Sequence, residues 1–258
     1  MGSGVDAWAL AAKLAVTAAF VVGAARAAER AGPLIGAMVA TLPIAAGPAY
    51  VFLALDHDAE FIAASALASL AANAANMVFC TVHAAVAQSR ATAASLAAAL
   101  GVWIVLAIVA RTVGWTLPEA VLLNVAVFVA CLAISRRFRT APMPPTIRRP
   151  YDVPLRAAMV AALVAAVVVL STHVGPTVTG ILALFPIVLA SLILIFQPRI
   201  GGRATAALTA NAVFGLGGFA AALVALHLAA LPLGVLVALV LALLVSIGCN
   251  FAIAVARR

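Results

Sequence analysis

The sequence predicts an all-α fold, a polytopic bundle of transmembrane helices, and three observations carry that prediction. Of the 258 residues, 67% are hydrophobic and only 9% are charged, against roughly 25% charged residues in a soluble domain. The apolar runs are long and unbroken, as in 157–170 and 233–245, where a transmembrane β-barrel would show alternating segments of about ten residues. The arginines lie mostly between those runs. A soluble chain of this size could not hide so much apolar surface, because its outside must be covered with polar groups. A bilayer removes that requirement, and a helix satisfies its own backbone hydrogen bonds in lipid.

A crossing needs about 20 apolar residues. On that measure helices are expected at 8–28, 33–55, 61–87, 93–113, 118–135, 155–171, 176–196, 204–229 and 232–255, nine in all. Between the fifth and sixth, residues 136–156 hold six arginines, four prolines ahead of Pro154 and one acid, Asp152. Prolines and charges there argue against helix. The chain therefore divides into a first transmembrane half at 1–135, a basic cytoplasmic linker at 136–154 and a second half at 155–258.

The net charge of +8 comes from fourteen arginines and one lysine against seven acids. No nucleic-acid motif accompanies it, so no nucleic-acid partner is expected; the asymmetry fits the positive-inside rule. With the linker in the cytoplasm and the helices alternating, thirteen basic residues fall inside and two, Lys13 and Arg111, outside. That places the N-terminus outside and the C-terminus inside. The richness in alanine and arginine points to a GC-rich bacterial genome, hence a bacterial cytoplasmic (inner) membrane. Cys80, Cys131 and Cys249 lie far apart in apolar segments, as small buried hydrophobes do. No metal or other cofactor is expected.

The halves resemble each other at ordered places. Gly32-Pro33 leads to Pro43, and Gly175-Pro176 leads to Pro186, with a proline spacing of ten in both. Ala72-Asn73-Ala74 matches Ala210-Asn211-Ala212, and Leu117-Pro118 matches Leu231-Pro232. Five helices in the first half invert the second, which predicts an inverted-topology repeat of five and four helices. A proline in the body of a helix removes a hydrogen bond and crowds the preceding turn. Pro43 and Pro186 therefore mark paired interrupted helices, the sequence signature of a transport site. The plain alternative is a kink satisfied by neighbouring helices.

The run Gly180-Ile181-Leu182-Ala183-Leu184-Phe185-Pro186, the short loop at 198–203 and Leu231-Pro232 resemble the GlpM-like family of small four-helix inner-membrane proteins. The resemblance covers about 155–256 and reaches the first half only at 32–43 and 117–118, where Leu42 stands in place of the family's phenylalanine. It implies an inner-membrane location and a four-helix unit, and it brings no substrate and no functional residue.

The helix expected at 61–87 is the most polar. Ser65, Ser69, Asn73, Asn76, Cys80 and His83 recur every three or four residues, which keeps them on one face. Facing lipid they would be costly, so this face meets other helices or a cavity. Two readings stand: glue between helices, or a polar pathway, with His83 a candidate proton carrier because its pKa lies near neutrality. The helix expected at 204–229 supplies Asn211, the inverted mate of Asn73, and the small residues Gly215, Gly217 and Gly218. The candidate substrate-binding residues are thus Pro43, Asn73, Asn76, His83, Pro186 and Asn211. Lys13, Arg111 and Glu119 are the charged candidates: they snorkel to the surface, or form an outward anion site or an ion pair of Lys13 or Arg111 with Glu119.

No HExxH, GxSxG, P-loop or carboxylate pair on one helix face is present, so no enzyme is expected. The leading expectation is a small transporter or facilitator of an unknown small molecule, working by alternating access between inverted halves. The alternatives are a non-transporting membrane scaffold or accessory subunit, and a lipid flippase. The expected partner is the lipid bilayer, and the small size is compatible with a homo-oligomer or a membrane partner.

Overall fold

The computed structural model describes residues 7–30, 45–142, 144 and 149–256. Every regular element among them is helical: α1 (Ala7–Arg30), α2 (Ala46–Asp56), α3 (Ala59–Val86), α4 (Thr92–Thr112), α5 (Leu117–Ser135), α6 (Asp152–Ala183), α7 (Ile187–Leu233) and α8 (Val235–Ala256), with one 3-10 turn at Arg136–Phe138. Five stretches are long and apolar enough to cross a membrane: α3, α4, Leu117–Phe138, the combined run Asp152–Leu233 and Val235–Ile253.

Local chemistry sets several of the boundaries. Asp58 caps α3, its carboxylate accepting from Phe61 N at 2.8 Å. A reciprocal capping box of Thr116 and Glu119, with Pro118 in the first turn, starts α5, two orphan donors being satisfied at once. Helix α6 begins at Asp152 rather than Leu155, because Pro154 is tolerated in a first turn.

In the second half, positive-φ glycines set where the chain changes direction. Gly175, Gly201 and Gly234 have φ of 73°, 82° and 77°, a region that costs a residue with a β-carbon strain. Gly175 bends α6 just ahead of Pro176, and Gly201 bends α7. Gly201 falls inside the loop expected at 198–203, and His83 contacts Gln197 before it and Thr209 after it, so the chain folds back there. The last turn falls at Gly234, not at Pro232, which stays inside α7. The helix expected at 176–196 is in two pieces: α6 stops at Ala183 and α7 starts at Ile187. Pro186 lies in that interruption. Pro43 and the expected helix start at Pro33 fall outside the described residues.

Helix α3 is the axis of the bundle. Of its most apolar window 78% is buried, against 17% for α5 and for α8. Helices α4, α5, α6 and α7 all pack on it. The outer faces of α4, α5 and α8 expose Ile104, Val105 and Ile108, Leu122, Val125 and Val129, and Leu236, Val240 and Leu244. Apolar patches of this extent are foreign to a monomer in water and match a lipid surface.

Glycines let the backbones close up. A β-carbon on Gly180 of α6 would stand 2.1 Å from Ser65 O, and one on Gly202 of α7 would stand 1.9 Å from Ala87 O. Gly217 and Gly218 lie against the Phe128 ring and Asn250 Oδ1 in the same way.

Candidate functional site

The polar face of α3 forms a ladder of hydrogen bonds into α6 and α7. Ser65 Oγ donates to Pro176 O at 3.1 Å, and Ser69 Oγ to Gly180 O at 2.7 Å. Tyr50 from α2 joins at Ser69 Oγ, 2.7 Å away. Asn73 Nδ2 donates to Leu216 O at 3.0 Å and to Asn124 Oδ1 at 2.9 Å. Asn76 Nδ2 donates to Leu184 O at 2.9 Å. At the far end His83 Nε2 lies 2.9 Å from Gln197 Oε1, and its Nδ1 lies 3.0 Å from Thr209 Oγ1. The face legible in the sequence is therefore one continuous seam between halves of the chain, and most of its members act as helix-to-helix glue.

Two members do more. Asn73 and Asn76 are buried, and their amide nitrogens are committed to backbone carbonyls, which fixes which end of each side chain is the oxygen. Both Oδ1 atoms are left with no hydrogen-bond partner among the described residues. A buried unsatisfied acceptor costs about 1–3 kcal/mol. Trp103 of α4 is also buried, and its Nε1 donor is likewise unpartnered. Its ring meets Phe185 edge-on, with centroids 5.2 Å apart. Asn76 and Trp103 thus address consecutive residues, Leu184 and Phe185, of the interruption that ends in Pro186.

Asn124 ties this cluster to α5. Its Nδ2 donates to Leu70 O at 2.6 Å and to Ala120 O at 2.9 Å. A groove of about 410 Å³ between α5, α7 and α8 reaches Asn124, with Met77, Phe128 and Gly217 among its walls. A second cavity, of about 250 Å³, lies between α1, α2, α7 and α8 and is lined by apolar residues such as Phe20, Phe52 and Leu223, with Tyr50.

The other candidates stand elsewhere. Asn211 donates to Arg139 O at 3.1 Å and to Ala207 O at 2.8 Å, so it serves the turn after α5 and is not among the partners of Asn73. Lys13 pairs with Asp56 at the end of α2. Glu119 accepts from Thr116 N and Oγ1 at 2.9 and 2.7 Å. An ion pair of Lys13 with Glu119 is thereby replaced by a pair with Asp56 and a helix cap, because both acids sit where a cation or free N–H groups need them. Arg111 is exposed in the last turn of α4, where a cation suits the helix dipole.

Sequence reasoning missed Trp103 and Gln197. Trp103 hid in an apolar helix, and its N–H is the signal that a buried indole needs a partner. Gln197 fell in the expected turn after 196, and its neighbour Pro198 disguised a helix that continues. No family model matches the chain, and no curated protein or solved structure is significantly similar to it.

Proposed function

We propose that the chain is a small membrane transporter or facilitator for uncharged, hydrogen-bonding solutes. The observation that carries this reading is a set of unpartnered buried polar atoms, Asn76 Oδ1 and Trp103 Nε1 on residues that meet the interrupted helix and Asn73 Oδ1 one turn away from Asn76 on α3. Two acceptors on α3 and a donor beside the broken helix suit a solute with hydroxyl or amide groups, and the Trp103 and Phe185 rings offer it an apolar wall. The bonds made by Asn73, Asn76 and Asn124 go to amides and backbone carbonyls, so an ion would lose its hydration without a countercharge, at high cost. Interrupted helices at the middle of a bundle are the usual place for such sites.

In this reading the two halves are inverted repeats that rock about the site, with Gly175 and Gly201 as bends that absorb the motion. The counterpart of Pro186 is Pro43. The end of the bundle carrying Arg90, Arg199 and Arg203 faces the cytoplasm, in a bacterial inner membrane.

The test is solute-driven swelling of proteoliposomes followed by light scattering, with glycerol and urea as probes. Vesicles with protein are expected to swell faster than protein-free vesicles. Asn76→Leu and Trp103→Phe are each expected to slow the added rate about tenfold, the worth of one or two lost hydrogen bonds. Equal rates with and without protein would sink the reading, and unchanged rates in both variants would remove the site.

One observation favours lipid flipping as a second reading, the groove that reaches Asn124 between α5, α7 and α8. Scrambling of a fluorescent phospholipid in the same vesicles, without solute swelling, would select it.

A further inference from the structure

We propose that His83 is a proton-binding site inside the bundle, one whose partners satisfy the imidazole in both of its charge states. The ring is fully buried, yet both nitrogens are engaged by side chains of α7, Thr209 and Gln197, with Ser95 of α4 donating to Gln197 Oε1. Gln197 Nε2 points to Arg90 O at 3.4 Å, which leaves Gln197 Oε1 facing His83 Nε2 at 2.9 Å. That oxygen can only accept, so Nε2 carries a hydrogen whether the ring is neutral or charged.

The adaptable partner is on the other side. Thr209 Oγ1 lies 3.0 Å from His83 Nδ1, 3.2 Å from Ala206 O and 3.4 Å from Thr205 O. With the ring neutral, the hydroxyl hydrogen points at Nδ1. When a proton from solvent occupies the Nδ1 lone pair, the hydroxyl turns its own hydrogen to Ala206 O and accepts the new N–H. No bond other than N–H forms, and only the hydroxyl rotates. Taking an imidazolium out of water is costly, and two charge-assisted hydrogen bonds, each roughly twice as strong as a neutral one, offset part of that cost.

Gln197 and Thr209 stand on opposite sides of the Gly201 bend of α7. The proton would therefore sit where one side chain of α3 holds both arms of a bent helix. The titratable and charged groups on the elements packed here are Cys80 one turn back on α3, Arg90 in the turn before α4, Arg139 after α5, Asp152 at the start of α6, and Arg199 and Arg203 on α7. Arg199 is neutralised by a two-pronged pair with Asp152 at 2.6 Å, and Arg139 donates to Leu132 O and stacks on Phe214. Arg90 and Arg203 are exposed. Hydrogen bonding, rather than a neighbouring carboxylate, is what holds the proton.

The experiment is ring ¹⁵N NMR of the histidine-labelled full chain in lipid nanodiscs, with His83→Gln assigning the signal, and it presumes no cargo. The expected result is passage of His83 from the Nε2–H form to the doubly protonated ring on acidification to about pH 5, with the helical fold retained. Thr209→Val is expected to weaken proton binding about tenfold through the lost charge-assisted bond, and Thr209→Ser to leave it unchanged. A ring that stays singly protonated down to about pH 5, or a wild-type fold lost before it titrates, overturns the proposal. A midpoint unmoved by Thr209→Val overturns it as well.

Discussion

Ser65 and Gly180 meet backbone to backbone: a β-carbon on Gly180 would stand 2.1 Å from Ser65 O. The contact lets the adjacent Ser69 hydroxyl reach Gly180 O at 2.7 Å. Backbone cannot yield as a flexible side chain does, so Gly180→Ala must push α3 and α6 apart. Overpacking of this kind costs about 1–3 kcal/mol. Gly202→Ala, 1.9 Å from Ala87 O, is expected to behave alike. Gly101 is helical with nothing within 4 Å of a β-carbon, so Gly101→Ala is expected to stabilise by about 0.5–1 kcal/mol. Thermal unfolding in detergent of the three variants separates tight packing from helix propensity.

His57 gives the fold a pH dependence whose sign is fixed. Its Nε2 lies 2.8 Å from Ser171 Oγ and its ring stacks on Phe61. Partial burial holds its pKa below the ordinary 6.5, helped by Lys13 and opposed by Asp56 and Asp58. The unfolded chain then binds this proton more readily than the folded one, so the contribution to stability is complete above 6.5 and is lost as pH falls from 6.5 towards the folded value. Wild-type Tm is expected to fall on acidification through that window more steeply than Tm of His57→Gln. Parallel curves would show that the ring titrates alike in both states.

Asn73 and Asn124 share a buried amide-to-amide bond of 2.9 Å between α3 and α5. Such bonds between membrane helices are worth about 0.6 kcal/mol on average and at most about 1.7 kcal/mol. A double-mutant cycle with Asn73→Ala and Asn124→Ala is expected to return a coupling in that range. Zero coupling would mean that the two amides find other partners as readily.

The polar face of α3 was legible because its residues are chemically unlike their surroundings. Ser65, Ser69, Asn73, Asn76 and His83 stand out in an alanine-rich helix at a spacing only a helix brings together, and each reaches the second half of the chain. The interruption at Pro186 was legible for the same kind of reason, a proline where lipid forbids free carbonyls. What escaped was set by tertiary choice. Pro232 reads as a helix start, yet the chain turns at Gly234, because positive φ and not the missing N–H decides where it can bend sharply. Asn211 donates to Arg139 O and Ala207 O, contacts that no local pattern announces. Trp103 belongs to the site through a ring contact with Phe185, and apolar periodicity cannot tell such a residue from its lipid-facing neighbours.

The sidedness of α3 can be read directly. Glu60 and Ser89 are exposed at its two ends, and a helix of its 28 residues is about 42 Å long at the standard rise, enough to cross. Ser171 bonds to His57, so Thr172, which is exposed, shares the Glu60 end. In a background with Cys80, Cys131 and Cys249 replaced by alanine, single cysteines are introduced as Glu60→Cys, Ser89→Cys and Thr172→Cys. With an impermeant thiol reagent on intact cells, positions 60 and 172 are expected to label from outside and position 89 only after permeabilisation. That pattern puts Gly175-Pro176 at the outer face and the arginine-bearing turns at the inner one, as the positive-inside asymmetry requires. Labelling of 60 and 89 from the same side would mean that α3 does not cross, and the transport reading would lose the helix that carries Asn73 and Asn76. Labelling of 89 alone from outside would keep the crossing and reverse the orientation, leaving the site intact but its cytoplasmic end misassigned.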